Sequence, residues 1–278
     1  MADDTAGGSR TEPLDKFSPD MIATFASSFG PAAAAYSRHR PDYPVNAVRW
    51  ALQPALDAGL GADDRTLDVL DLGAGTGKLS AVTAGLGHRV TAVEPDARML
   101  AELREYAPGV SALQGGAEEI PLPDGSVDAV LVGQAFHWFD PDRALPEIAR
   151  VLRPGGALGA LWNTDDDRVD WVAGLGRSLS SRLGFLTWSK ERTIVSHPAL
   201  FPVEEGYFPH VQRRSAESLV ATIATHSHAL TREPAERDEL FGRVRSYLAS
   251  RPETAQGEFD LPLITVVQRS VRRGIAGS

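Results

Sequence analysis

Along the first half of the chain, short apolar runs alternate with helix-period stretches, separated by glycine and proline. Residues 67–72, Leu-Asp-Val-Leu-Asp-Leu, end on Gly73, the pattern of a buried parallel strand feeding a tight turn. Residues 78–86 read as a helix, and 89–93 as a second strand ending at Glu94. Asp96 is placed to cap a helix that carries Met99, Leu100 and Leu103 until Pro108 interrupts it, and residues 110–114 supply a third strand. A strand over 127–132, a helix over 141–152 and a strand over 157–162 continue the alternation. Such alternation predicts an α/β fold, a parallel sheet with helices on both faces.

After Asn163 the pattern changes. Three consecutive aspartates, Asp165 to Asp167, lead into a predicted helix over 171–186 and then a stretch punctuated by Pro198, Pro202 and Pro209. Helices over 216–229 and 235–250 and a final strand over 259–271 follow. Before the first strand, residues 46–58 read as a helix, preceded by an irregular connector over 36–44 that holds Pro41 and Pro44. Residues 1–20, acidic and polar, read as a disordered tail. Residues 21–278 read as one domain in which 164–206 and part of 214–252 form a cap over the sheet's ligand edge.

Composition narrows the class. A 278-residue chain with 42% hydrophobic and 23% charged residues can bury a sizeable core, and no apolar run is long enough to cross a bilayer. The start of the chain lacks the basic and apolar regions of a signal peptide, so a cytoplasmic location and no membrane partner are expected. Cysteine is absent, which excludes disulfides, thiolate metal sites and cysteine nucleophiles. A net charge of −9 repels a phosphate backbone, and the basic pairs Arg213-Arg214 and Arg272-Arg273 are too short to track one, so no nucleic-acid partner is expected. The sequence leaves the oligomeric state open.

The chemistry centres on Gly73, Gly75 and Gly77. A strand, a glycine turn and a helix place backbone N–H groups and a helix N-terminus at the carboxyl edge of the sheet, where ligands bind in open α/β folds. The spacing is GxGxG, whereas the dinucleotide fingerprint would need glycine at the position of Lys78. Glu94 can accept both hydroxyls of a ribose, which suits NAD and S-adenosylmethionine (SAM) alike. Asp71 stands two residues before Gly73. A strand-preceding turn, Arg150-Val151-Leu152-Arg153-Pro154-Gly155-Gly156, lies further on, as does Gly116-Ala117-Glu118-Glu119-Ile120-Pro121.

In this order, these segments resemble the motifs of class I SAM-dependent methyltransferases of the type 11 group, over residues 67–163. Residues 36–44, Gln134-Ala135-Phe136-His137-Trp138-Phe139 and Leu161-Trp162-Asn163 resemble the trans-aconitate methyltransferase-like branch of small-molecule enzymes. The resemblance implies a Rossmann-like seven-stranded sheet, mostly parallel with its last strand antiparallel, and SAM as cofactor. It places Gly73, Ala74 and Gly75 along the methionine and ribose portion and Glu94 on the ribose diol, with Asp71 among the cofactor-binding residues. Pro95 and Met99 then border adenine, Ala117 and Glu118 lie near its amino group, and Gln134 closes the fourth strand. Tyr36 and Arg40 are expected to close over the cofactor, the guanidinium pairing with its carboxylate.

Methyl transfer from a sulfonium is an in-line displacement that gains most from alignment and exclusion of water. A hydroxyl or amine acceptor benefits from a base, and His137 is the best-placed one by sequence, whereas a carboxylate acceptor needs none. Trp138, Trp162 and His226 are expected to line the acceptor pocket; Trp138 and Phe139 could equally anchor their loop. No carboxylate sits in Gly133-Gln134-Ala135-Phe136, so no metal is expected, and Asp165 to Asp167 read as a solvated loop. His226 and His228 point to different faces of a predicted helix. The expected activity is methylation of a small-molecule acceptor, with O-methylation of a carboxylate or hydroxyl favoured and C- or N-methylation open. The alternatives are an NAD(P)-dependent oxidoreductase and a non-catalytic SAM-binding module.

Overall fold

The computed structural model describes residues 41–61, 63, 65–179, 194–224 and 233–274. Seven strands form one sheet in the order β3-β2-β1-β4-β5-β7-β6. In chain order they are β1 (Asp68–Leu72), β2 (Arg89–Glu94), β3 (Ser111–Gln114), β4 (Val127–Gly133), β5 (Leu152–Asp165), β6 (Glu204–Ser215) and β7 (Glu258–Val271). Strands β1 to β5 run parallel, and β7 lies antiparallel between β5 and β6. The order reverses between β1 and β4, and ligands in open α/β sheets bind outside the carboxyl ends at such a switch point.

Helices α1 (Val45–Asp57), α2 (Lys78–Gly85) and α3 (Ala97–Tyr106) cover one face, and α4 (Pro141–Val151) the other. Alanines permit close approach on α1: Ala47, Ala51 and Ala55 are fully buried, and a Cβ on Gly159 of β5 would come within 2.9 Å of the Ala51 Cβ. Asp96 caps α3 by accepting from the N–H of Arg98 and Met99, as its position before the helix predicts. Asp140 caps α4 through Asp142 N–H, with Pro141 at the first helical position.

The motif arginines hold the scaffold together. The Arg153 guanidinium pairs with the buried Asp128 and with Asp68, and donates to the carbonyl of Ser126. Arg150 bonds the carbonyls of Ile120 and Leu122 as well as Glu147, fastening the segment after β3 to α4.

The C-terminal third departs from expectation in two places. Residues 204–215, predicted to be partly proline-punctuated cap, form the edge strand β6; Pro209 is tolerated because an edge strand has a free side that needs no N–H. Strand β5 continues to Asp165, so the range 164–206 expected to be cap begins and ends within the sheet. Three helices, α5 (Asp170–Leu179), α6 (Ala216–Ala224) and α7 (Pro234–Ala249), pack around Trp171, Leu175, Ile223, Leu240 and Val244. Phe259, Leu261 and Leu263 at the start of β7 complete that cluster, so the three helices sit where the β6–β7 ribbon extends beyond the carboxyl edge. No helix among the described residues is long and apolar enough to cross a membrane.

Candidate active site

The turn after β1 uses its glycines for different physical reasons. Gly73, Gly75 and Gly77 all have positive φ, at 69°, 57° and 85°, a region L side chains rarely adopt. A Cβ on Gly73 would meet the Ala135 Cβ at 2.8 Å, and one on Gly77 would meet Leu103 at 2.8 Å, so both are packed tight. A Cβ on Gly75 would meet nothing within 4 Å, so that side of its backbone faces open space.

One cavity opens over this turn. Asp71, Gly73, Ala74, Gly75 and Thr76 line it from β1 and its turn, Gly133 and Gln134 from β4, and Asn163 from β5. Tyr43 closes one side, lying so near the β4 exit that a Cβ on Gly133 would clash with its hydroxyl oxygen. Lys78, the residue that breaks the dinucleotide spacing, forms a 2.7 Å ion pair with Asp42 and thereby pins the Tyr43 segment across the turn. Gln134 has φ 56°, a strained value for a residue with a side chain. Its N–H donates to the carbonyl of Leu161 and its Nε2 to that of Asn163, which ties the ends of β4 and β5 together.

Glu94, buried at the end of β2, accepts 2.9 Å from the N–H of Gly75 and 3.0 Å from that of Asp96. Burial raises its pKa, and the two backbone donors oppose the rise. A carboxylate offers about four acceptor positions, so two remain for hydroxyls of a ligand. Asp71 is wholly buried and its pKa is pushed up to about 7, chiefly by burial, against a 2.5 Å hydrogen bond from Ser80 Oγ. Its Oδ1 and the Oγ1 of Thr76 are enclosed and have no hydrogen-bond partner. Two orphaned polar atoms and an open backbone beside a buried carboxylate fit a polar nucleoside ligand.

The other sequence-predicted residues fall in several places. Met99 and Ala117 are buried, and Pro95 is exposed next to Glu94. The carboxylate of Glu118 accepts from Asp140 N–H at 3.0 Å, at the start of α4. His137 and Trp138 sit in a single 3-10 turn (Phe136–Trp138) with ring centroids 4.7 Å apart. Trp162 is buried in the core cluster on the α4 face. Tyr36, Arg40, His226 and His228 lie outside the described residues.

Asp165 to Asp167 are not a solvated loop. Asp165 ends β5, Asp166 is buried and ion-paired to Arg168 at 2.7 Å, and only Asp167 is exposed. No cluster of metal-binding side chains occurs among the described residues. Tyr43, Thr76 and Asn163 also line the cavity, although the sequence pattern does not mark them as site residues. The two prolines flanking Tyr43 were the available signal, since they order that connector against the core.

A methyltransferase domain model matches residues 70–160. An uncharacterized methyltransferase of Mycobacterium tuberculosis is 43% identical over 252 residues, covering 87% of this chain and 95% of the relative. A malonyl-[acyl-carrier protein] O-methyltransferase of Pectobacterium atrosepticum is 38% identical over 135 residues, 48% of this chain and 50% of the relative. The solved structure of a candidate type II methyltransferase from Anaeromyxobacter dehalogenans superposes with a TM-score of 0.58 at 26% identity, covering 84% of this chain and 97% of that one. Fold and site thus define a class I methyltransferase. The chain belongs to the SAM-dependent methyltransferases of the type 11 group, and the oxidoreductase alternative is set aside.

Proposed function

We propose that this enzyme transfers a methyl group from SAM to a small-molecule acceptor. The observation that carries the proposal is the cavity in which Asp71, Gly75, Gln134 and Asn163 converge at the switch point, beside the buried carboxylate of Glu94. SAM supplies an electrophilic methyl on a sulfonium; the chain's own residues supply position. The Gly73–Gly75 backbone borders the methionine and ribose portion, and Glu94 takes the ribose diol on its two free acceptor positions. Pro95 and Met99 border adenine, with Ala117 and Glu118 near its amino group. Gln134, whose Nε2 donates to the Asn163 carbonyl, and Asn163 hold the floor on which the acceptor meets the methyl group. Helices α5 to α7 cover the acceptor side and exclude water there.

O-methylation of a hydroxyl or carboxylate is favoured. The malonyl-[acyl-carrier protein] relative is named for O-methylation, although it matches half of this chain. SAM and S-adenosylhomocysteine should raise the melting temperature, and NAD and NADP should not; stabilisation by NAD alone would refute the proposal.

A further inference from the structure

No hydrogen bond ties Asp165 Oδ2 to the scaffold. That oxygen is enclosed, and the residue as a whole is half-buried. Buried carboxyl oxygens without partners are costly, and in native proteins they mark functional sites more often than oversights. Asp166 beside it is satisfied by Arg168, so the neglect is specific to Asp165.

Its position is equally specific. Along β5, residues two apart share a face. Leu161 packs under α1, Asn163 lines the cavity over the glycine turn, and Asp165 follows on that face about 6–7 Å further toward the carboxyl side. Its register partner on β7, Leu263, belongs to the apolar cluster of α5, α6 and α7. Asp165 therefore stands between the cofactor cavity and the three helices, where an acceptor would enter.

We propose that Asp165 is the proton-accepting group of the acceptor subsite, and that the acceptor reacts through a hydroxyl or amine that carries a proton rather than through a carboxylate. The inference rests on the cavity being the SAM site. As the acceptor oxygen or nitrogen bonds to the methyl carbon, the carbon–sulfur bond breaks and its electron pair returns to sulfur. The acceptor's proton passes to the Asp165 carboxylate, which releases it to water afterwards. A carboxylate acceptor would instead bring like charge against this group.

Electrostatics agree. Burial, with a smaller contribution from Asp167, pushes Asp165 up to about 7, near the optimum for a base at neutral pH. Other charged or titratable groups on this face are His210 and Arg214, across β7 on β6, and Asp42 ahead of α1. From α5 to α7, apolar side chains face Leu261 and Leu263. Burial lowers the pKa of His210, and its Nε2 is paired at 3.1 Å with Thr265, whose hydroxyl in turn donates to Asn163.

The test compares full-length wild type with Asp165→Asn, and with Asp165→Ser should the amide be poorly accommodated. Carboxyl carbon resonances of aspartate-labelled protein should show two groups that titrate between pH 6 and 8, Asp71 and Asp165, and only the second should vanish in the variant. The variant should bind S-adenosylhomocysteine within about twofold of wild type yet transfer methyl to phenol or benzylamine at least about 100-fold more slowly. The basic-side rise in the wild-type rate near pH 7 should disappear with it. A variant that melts higher than wild type above pH 7 while losing transfer would separate function from a structural role.

The proposal is overturned by absence of the Asp165 titration or by an unchanged rate profile in the variant. Methylation of benzoate as fast as phenol and benzylamine, or no transfer to either of the latter by wild type that binds the homocysteine, also overturns it. Failure to bind S-adenosylhomocysteine at all would instead refute the cofactor site, and the resonance titration does not depend on it.

Discussion

The N–H of Gly75 donates to the carboxylate of Glu94 across 2.9 Å, joining the turn after β1 to the end of β2. One residue supplies open backbone, the other a buried acceptor with lone pairs to spare. Glu94→Ala should weaken S-adenosylhomocysteine binding by about 100-fold, because a charge-assisted contact of about 1.5–3 kcal/mol is lost. Calorimetric titration checks this, with circular dichroism to confirm that the fold persists.

The glycines of the turn separate packing from binding. Gly73→Ala combines a φ of 69° with a 2.8 Å approach to Ala135, so it should destabilise the chain by about 2 kcal/mol or more and impair binding as a consequence. Gly75→Ala has the positive φ but meets no protein atom within 4 Å. It should cost about 1 kcal/mol in stability and lose proportionally more affinity, since the methyl enters the space assigned to the cofactor. Urea denaturation alongside binding constants distinguishes the two.

Asp71 gives a pH-dependent signature. Its folded pKa, about 7, lies above the unfolded carboxyl value. The native state therefore holds more protons than the unfolded state between about pH 4 and 7, and this group's contribution to stability falls as pH rises through that window. Burial lowers the pKa of His88 and His210, which has the opposite slope, but those contributions are common to wild type and variant and cancel in a difference. The stability of Asp71→Asn relative to wild type should thus improve as pH rises from 5 to 8, by about 2.5 kcal/mol. A difference that stays flat with pH would show that Asp71 is ionised throughout.

Much of the core was legible because its physics is local. Strands β1 to β4 read as short apolar runs, Asp96 announced the start of α3, and the glycine turn with Glu94 marked the switch point. Strand β6 was not legible: it lies at the edge, alternates exposed and half-buried positions, and carries Pro209, so its pairing is set by β7 rather than by its own pattern. Asp165 was misread for a related reason. Consecutive aspartates look solvated in sequence, and only the extension of β5 against Leu263 shows that the first of them turns inward. Tyr43 became a cavity residue through the Lys78–Asp42 ion pair, a contact across 36 residues that composition does not reveal.

The central claim is a methyltransferase whose cofactor lies on the glycine turn and is held by Glu94. Incubation of the full chain with methyl-labelled SAM and small phenol and amine acceptors, followed by extraction of the small molecules, tests it most directly. Label should appear in an extracted product with wild type and fall by about 100-fold with Glu94→Ala. Equal labelling by the two proteins, or no labelled small molecule from either acceptor, would contradict it.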